Sequence, residues 1–116
     1  MVEYTLEHVG INCQNADEAI RNAKLFEAMF GLTVKVGNSS VFAGPIVELN
    51  KAPGRGTNGH IALGTPDVAA AVEDLTARGF TVDPASAKYT PDGTMNVIYL
   101  TDEICGFAIH LKKTSK

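Results

Sequence analysis

The strongest constraint on this chain is that it runs through one pattern twice. GPIVEL (44–49) and GFAIHL (106–111) share a Gly-x-x-x-polar-Leu pattern, with glutamate in the polar slot of the first copy and histidine in the second. EHVGIN and GHIALG correspond as well, each placing a histidine before a branched aliphatic residue ahead of a helical segment. Gly31 and Gly79 end those helical segments, and each is followed by one apolar residue and then Thr-Val. An internal repeat with a shared polar pattern outweighs any single motif.

Local signals give each copy the same plan. Residues 15–30 place Ala19, Ala23, Phe26 and Phe30 on one helical stripe, with Asn15 as N-cap, Asp17 and Glu18 in the first turn and Gly31 at the C-terminus. The second helix is expected to start with Thr65 as cap and Pro66 at the first helical position, to bury Val68, Val72 and Leu75, and to end at Gly79. TLEHVGIN precedes the first helix, and LTVKV, SVFA and PIVELNK follow it; GHIALG precedes the second, and FTV, MNVIYLT and FAIHLKK follow. Strand, helix and three strands therefore occur twice, with a longer connection in the second copy around 85–94. This is an α+β chain of two βαβββ modules, expected to form one domain over 1–116: module one 4–51, a glycine-rich linker 52–58, and module two 59–113.

Side chains alternate faces along a strand. Val9 and Ile11 oppose Leu6, His8 and Gly10; Val47 and Leu49 oppose Glu48 and Asn50; Ile61 and Leu63 oppose His60; Ile109 and Leu111 oppose Ala108 and His110. The aliphatic sets are expected under the helices, with His8, Glu48, His60 and His110 sharing the other face. A lone strand histidine is ordinarily a hydrogen-bonded core residue. Here the chain's three histidines all fall at repeat-matched positions beside a carboxylate. Neutral imidazole and carboxylate together suit a divalent Zn, Ni, Mn, Co or Fe ion.

The bulk numbers exclude other classes. A net charge of −3 offers no footprint for nucleic acid or an anionic membrane. The basic cluster of Lys112, Lys113 and Lys116 reads as a solvated tail. Two cysteines, Cys13 and Cys105, lack metal or redox spacing and read as small buried thiols. No signal-peptide pattern or bilayer-length apolar run is visible, so a reduced, cytoplasmic setting is the default expectation.

HVGIN, LFEAMFGLTVKV, IVEL, GHIAL and GFAIHL together resemble the vicinal oxygen chelate superfamily, which includes glyoxalase I, methylmalonyl-CoA epimerase, fosfomycin-resistance proteins and extradiol dioxygenases. The resemblance runs from about residue 6 to 111. It implies a glyoxalase-like cup of paired βαβββ modules around a divalent metal, commonly in a homodimer and in some members with the site shared between chains. His8 falls on the first-strand ligand, His60 on the ligand opening the second module, and Glu48 on the carboxylate ligand of the first module's last strand. His110 falls where glyoxalase I has a proton-moving glutamate, a departure that removes one negative charge. A narrower resemblance, on LEHVGINCQN, GNSSVFAG, GHIALGT, SAKY and GFAIHL, is to a small domain attached to the C-terminus of some bacterial 2-keto-3-deoxy-6-phosphogluconate/4-hydroxy-2-oxoglutarate aldolases. It implies an aldolase partner as one role.

The chemistry implied is a metal-dependent isomerase or lyase acting on a small 2-keto or 2-hydroxycarbonyl compound, which chelates the ion while a base moves a proton. Glu48 is the first candidate base, with a fixed-ligand role as its alternative; His110 is the second. The competing classes are a metabolite-binding module without turnover and an accessory domain of an aldolase. Asn38, Ser39 and Ser40 are turn residues or substrate contacts. Arg55 is either a solvated loop residue or a partner for carboxylate or phosphate. Lys88, Tyr89 and Tyr99 have the same standing, while Asn50 and Lys112 extend the inward rows or lie at the rim.

Overall fold

The computed structural model describes residues 2–114, so Lys116 of the basic tail lies outside the described residues. The elements run β1 (Thr5–Asn12), α1 (Ala16–Phe30), β2 (Val34–Val36), β3 (Ser40–Ala43), β4 (Val47–Asn50), β5 (Gly59–Thr65), α2 (Val68–Ala77), β6 (Val82–Tyr89), β7 (Met95–Leu100) and β8 (Phe107–Lys113). All eight strands form one sheet in the order β2-β3-β4-β1-β5-β8-β7-β6. The order reads the same outward from the β1–β5 pair in both directions. β1 and β5 are antiparallel, and each runs parallel to the closing strand of its own module, β4 or β8. The mixed α+β plan of paired βαβββ units is thus the observed one.

Helix α1 forms where its caps direct. Asn15 accepts a hydrogen bond from the Glu18 amide at 2.9 Å, and Glu18 accepts one from the Gln14 amide at 2.8 Å. Gly31 then turns left-handed at φ 72°, a conformation glycine adopts without a Cβ penalty, and its amide donates to the Glu27 carbonyl. Ala19 and Ala23 are fully buried, and their small side chains let the helix lie close on β3 and β4. Val41, Ala43, Leu49 and Cys13 complete that core, with Ile11, Ile20 and Phe26 at its margin. A second core under α2 joins Val68, Ala71, Ile98 and Leu111 to Leu63, Val72 and Leu75. Each module buries its own aliphatic stripe, which leaves the opposite face of the sheet for polar groups.

Several expectations are corrected. The cap of α2 is Asp67, whose side chain accepts from the Ala70 amide at 3.0 Å; Thr65 instead ends β5. β5 runs on because Thr65 still pairs with Lys113. Phe30 is 66% exposed, since the last turn of α1 overhangs the core and leaves its ring only a tilted contact with Phe26. Leu6 does not share the face of His8: an irregularity at Glu7 pairs Leu6 with Leu63, whereas strict alternation would set it against Gly64. Cys105 is exposed in a turn, while Cys13 is buried and both thiols are free. The first half of the connection expected around 85–94 is strand, because β6 continues to Tyr89, and the turn is confined to 90–94. Pro84 is tolerated there because β6 is an edge strand. Its irregular pairing is bridged by the Ser86 hydroxyl, which accepts from the Tyr99 amide at 2.8 Å.

The two threonine and aspartate roles separate cleanly in a stability measurement. Asp67→Ala should lower unfolding free energy by about 1 kcal/mol, the usual worth of an N-cap. Thr65 Oγ1 is buried without a hydrogen-bond partner. Thr65→Val therefore removes an unsatisfied hydroxyl and should leave stability unchanged or raise it in urea titration.

Candidate metal centre

Strand register assembles the site. On the face away from the helices, Gly10 is paired with Glu48 on β4 on one side and with His60 on β5 on the other. Beside that row, Ala62 is paired with His8 on β1 and with His110 on β8. The two rows, Glu48–Gly10–His60 and His110–Ala62–His8, are equivalents in the repeat. In each, a minimal residue lies between two functional ones and leaves room for their side chains to lean together. A methyl group on Gly10 would overlap the His60 ring itself.

Two overlapping contact sets meet at His8 and His60: one with Glu48, the other with His110. His8 Nε2 and His60 Nε2 lie 3.1 Å apart, and Glu48 Oε1 lies 3.4 Å from the first and 3.1 Å from the second. Protons can satisfy at most two of these three contacts, because each Nε2 is either donor or acceptor. A shared cation satisfies all three. Donor atoms each about 2.0–2.1 Å from a common ion stand about 2.8–3.4 Å apart between octahedral and tetrahedral angles, a range that includes the observed spacing. His110 joins the group: the three histidines offer nitrogens that all lie within 4.8 Å of one another. Both ring nitrogens of His110 are buried and have no hydrogen-bond partner, although the residue is only 7% exposed. An orphaned imidazole facing two others fits a metal ligand better than a structural histidine.

The protonation states suit that role. Burial, reinforced by the neighbouring His60 and His8, holds His110 down to about 4, so it is neutral at physiological pH. Burial also lowers His8, against the opposing pull of Glu48. Glu48 stays below its ordinary range through its contact with His60 and a 2.8 Å hydrogen bond from Ser40 Oγ to Oε2. Ser40 is thus neither a plain turn residue nor a free rim group. It fixes one carboxylate oxygen while the other faces the histidines.

Around the centre, the Phe42 ring meets His8 edge-on at 6.0 Å, and the Tyr99 ring meets His110 at 4.7 Å. Burial pushes the Tyr99 phenol up, so it remains protonated. The Arg55 guanidinium lies over the Tyr99 ring at 4.5 Å. A cavity of about 360 Å³ opens beside His60, lined also by Ser39, Asn50, Lys51, Arg55 and Tyr99. A larger cavity, about 700 Å³ at the start of α2, contains none of the four converging residues. Tyr89 is exposed on the edge strand, and Lys112 lines a separate polar groove with Glu7 and Thr90. Gly10 and Ala62 were not singled out as functional from the sequence. The signal for them was present in the repeat, as the small residues two positions after His8 and His60.

No protein-family model matches the chain, and no curated protein matches it in sequence. Solved structures match it in fold. The hypothetical protein BH1468 from Bacillus halodurans C-125 superposes with a TM-score of 0.66 at 12% identity, covering 98% of this chain and 96% of that one. A variant of Streptomyces coelicolor methylmalonyl-CoA epimerase, in complex with 2-nitronate-propionyl-CoA, gives 0.59 at 18% identity and covers 96% and 97%. The methylmalonyl-CoA epimerase from Mycobacterium tuberculosis gives 0.58 at 14% identity and covers 96% and 88%. At these identities the likeness establishes the glyoxalase-like fold alone. Among the described residues, no helix is long and apolar enough to cross a membrane.

Two measurements test this geometry. Gly10→Ala should keep the fold but displace the His60 ring, weakening divalent-metal affinity by at least about tenfold in a competitive chelator titration. The second concerns the metal-free protein. His110 is depressed from 6.5 to about 4 on folding, so between those values the unfolded chain binds a proton that the folded chain does not. Stability should therefore be full above pH 6.5 and fall by about 2–3 kcal/mol as the pH drops toward 4. Urea unfolding of His110→Phe should show a flatter pH profile over that window.

Proposed function

We propose that this chain is a divalent-metal-dependent enzyme that moves a proton on a small 2-oxo or 2-hydroxycarbonyl compound, in an isomerase or lyase type of reaction. The observation that supports the reading is the clustering of His8, His60 and the partnerless His110, with Glu48 in contact with His8 and His60. These four side chains would hold the ion, and any of Zn, Ni, Mn, Co or Fe suits their nitrogen and oxygen donors. When bound, such an ion polarises a chelated carbonyl and draws off the negative charge that develops as the adjacent C–H is deprotonated.

The chain's own residues divide the remaining work. His8 and His60 reach across the β1–β5 pair and fix the ligand face. Glu48 is anchored through Oε2 by Ser40 and presents Oε1 toward the centre, where it serves as ligand and is the first candidate for the base. His110 is neutral and desolvated; if one nitrogen binds the ion the other carries the ring's N–H, so His110 serves either as a ligand or as the base, not as both. Phe42 and Tyr99 wall the site with rings, which limits water around the transferred proton. The small-molecule partner is expected to enter through the cavity beside His60. In this reading the four ligands come from a single chain. A homodimer is proposed as an assembly around a complete centre.

The test is solvent deuterium exchange at the carbon next to the carbonyl, followed by proton NMR across small 2-oxo and 2-hydroxy acids. The metal-loaded protein should catalyse exchange for at least one such acid, chelator treatment should abolish it, and His8→Ala should lose both metal and activity. Glu48→Gln should reduce the exchange rate by about 10²- to 10⁴-fold, the usual worth of a positioned base. Exchange that persists after the metal is stripped would overturn the reading.

A further inference from the structure

We propose that the cavity beside His60 selects a small acid carrying a second oxyanion, carboxylate or phosphate, and that Arg55 binds that second group. The inference rests on the metal-centre reading, in which the 2-oxo or 2-hydroxy end of the same molecule is held by the four converging side chains. At about 360 Å³ the cavity is near the small end of ligand sites. Lys51 and Arg55 line it together with His60, and no carboxylate does. Such a wall favours anions of a few carbons.

Arg55 is placed for this task. Its guanidinium rests on Tyr99 at 4.5 Å, and Tyr99 in turn touches His110 at 4.7 Å, so two successive ring contacts separate the cation from the centre. Its acidic partner among the described residues is Asp83, met through a single nitrogen at the long distance of 3.4 Å with both side chains partly exposed. A guanidinium fork offers two parallel donors to a carboxylate or phosphate, and this contact leaves that capacity unused.

The loop carrying Arg55 is held in place on both sides. Asn12 Oδ1 accepts from the Gly54 amide at 3.2 Å and from Asn50 Nδ2 at 3.0 Å, while Asn12 Nδ2 donates to the Gly56 carbonyl at 3.1 Å. Beyond Arg55, the Thr57 amide and hydroxyl both donate to Glu103, at 3.1 and 2.8 Å, and the Asn58 amide donates to the Gly106 carbonyl at 2.7 Å. A segment that merely joined two modules needs none of these anchors. Ordering the loop before a ligand arrives lowers the entropy lost on binding.

The test uses cobalt-loaded protein, whose visible absorption reports a ligand reaching the ion. It is titrated with 2-oxoglutarate against 2-oxobutanoate, and with 3-phosphoglycerate against lactate. At least one of the two acids with a second oxyanion should bind about 10- to 100-fold more tightly than its monoanionic counterpart, and which one does so identifies the second group as carboxylate or phosphate. Arg55→Met should remove that advantage while leaving cobalt affinity and monoanion binding unchanged, and Arg55→Lys should retain part of it. Equal binding of the acids with and without a second oxyanion, or equal weakening of both by Arg55→Met, would refute the subsite and leave the metal-centre reading standing. Failure of all four acids to perturb the cobalt spectrum would refute the metal-centre reading and the subsite with it.

Discussion

The antiparallel pairing of β1 with β5 is the contact on which the rest of the site depends. It joins the two modules about a pseudo-twofold axis and places Gly10 opposite His60 and His8 opposite Ala62. Glu48 and His110, from the strands on either side, can then lean over two small residues toward His60 and His8. Were the register to slip by one residue, every side chain of the moving strand would change face. The histidines would enter the helix-covered cores and the aliphatic residues would line the cup. The hydrophobic clusters under α1 and α2 therefore do more than stabilise the modules. Full burial of residues such as Leu49 and Val41, each worth about 1.5–3 kcal/mol, penalises the slipped register and so fixes the geometry of the opposite face.

That face is costly to maintain. His110 keeps two polar nitrogens out of water without a partner, and His8 and Glu48 are also largely withdrawn from solvent. Burial without compensation destabilises a folded chain, so the arrangement is not one that stability alone would select. The expense falls where the repeat places its polar residues, which is the pattern expected when a folded scaffold gives up stability to a site.

Much of this was legible in the sequence because a repeat constrains many positions at once. The two βαβββ units, the caps of α1, the helix-facing aliphatic residues and the shared face of His8, Glu48, His60 and His110 all follow from period and correspondence. The features that were missed arise from contacts between distant segments. Asp67 replaces Thr65 as a cap because β5 pairs one residue further with β8. The irregularity at Glu7 that moves Leu6 off the face of His8 belongs to the register of two strands, not to either alone. Ser40 looked like a turn residue, and only the β3–β4 pairing brings its hydroxyl to Glu48. Gly10 carried a visible signal, but its purpose is clear only once the His60 ring is seen lying across it.

The one asymmetry in the pseudo-twofold arrangement, Glu48 against His110, has an electrostatic consequence. Two carboxylates would cancel the charge of a divalent ion, giving a neutral centre. One carboxylate with three neutral imidazoles would leave a bound divalent ion a net positive charge in a partly desolvated setting, where Coulombic attraction is strengthened. A centre of that charge attracts an anionic chelator more strongly than a neutral ketone of the same shape. The cavity wall has the same preference, since Lys51 and Arg55 line it without an opposing carboxylate. The histidine that replaces a carboxylate in the second copy of the repeat and the cationic loop between the copies therefore favour the same class of ligand. The two features lie on different elements and arise independently, so each strengthens the case for an acidic substrate.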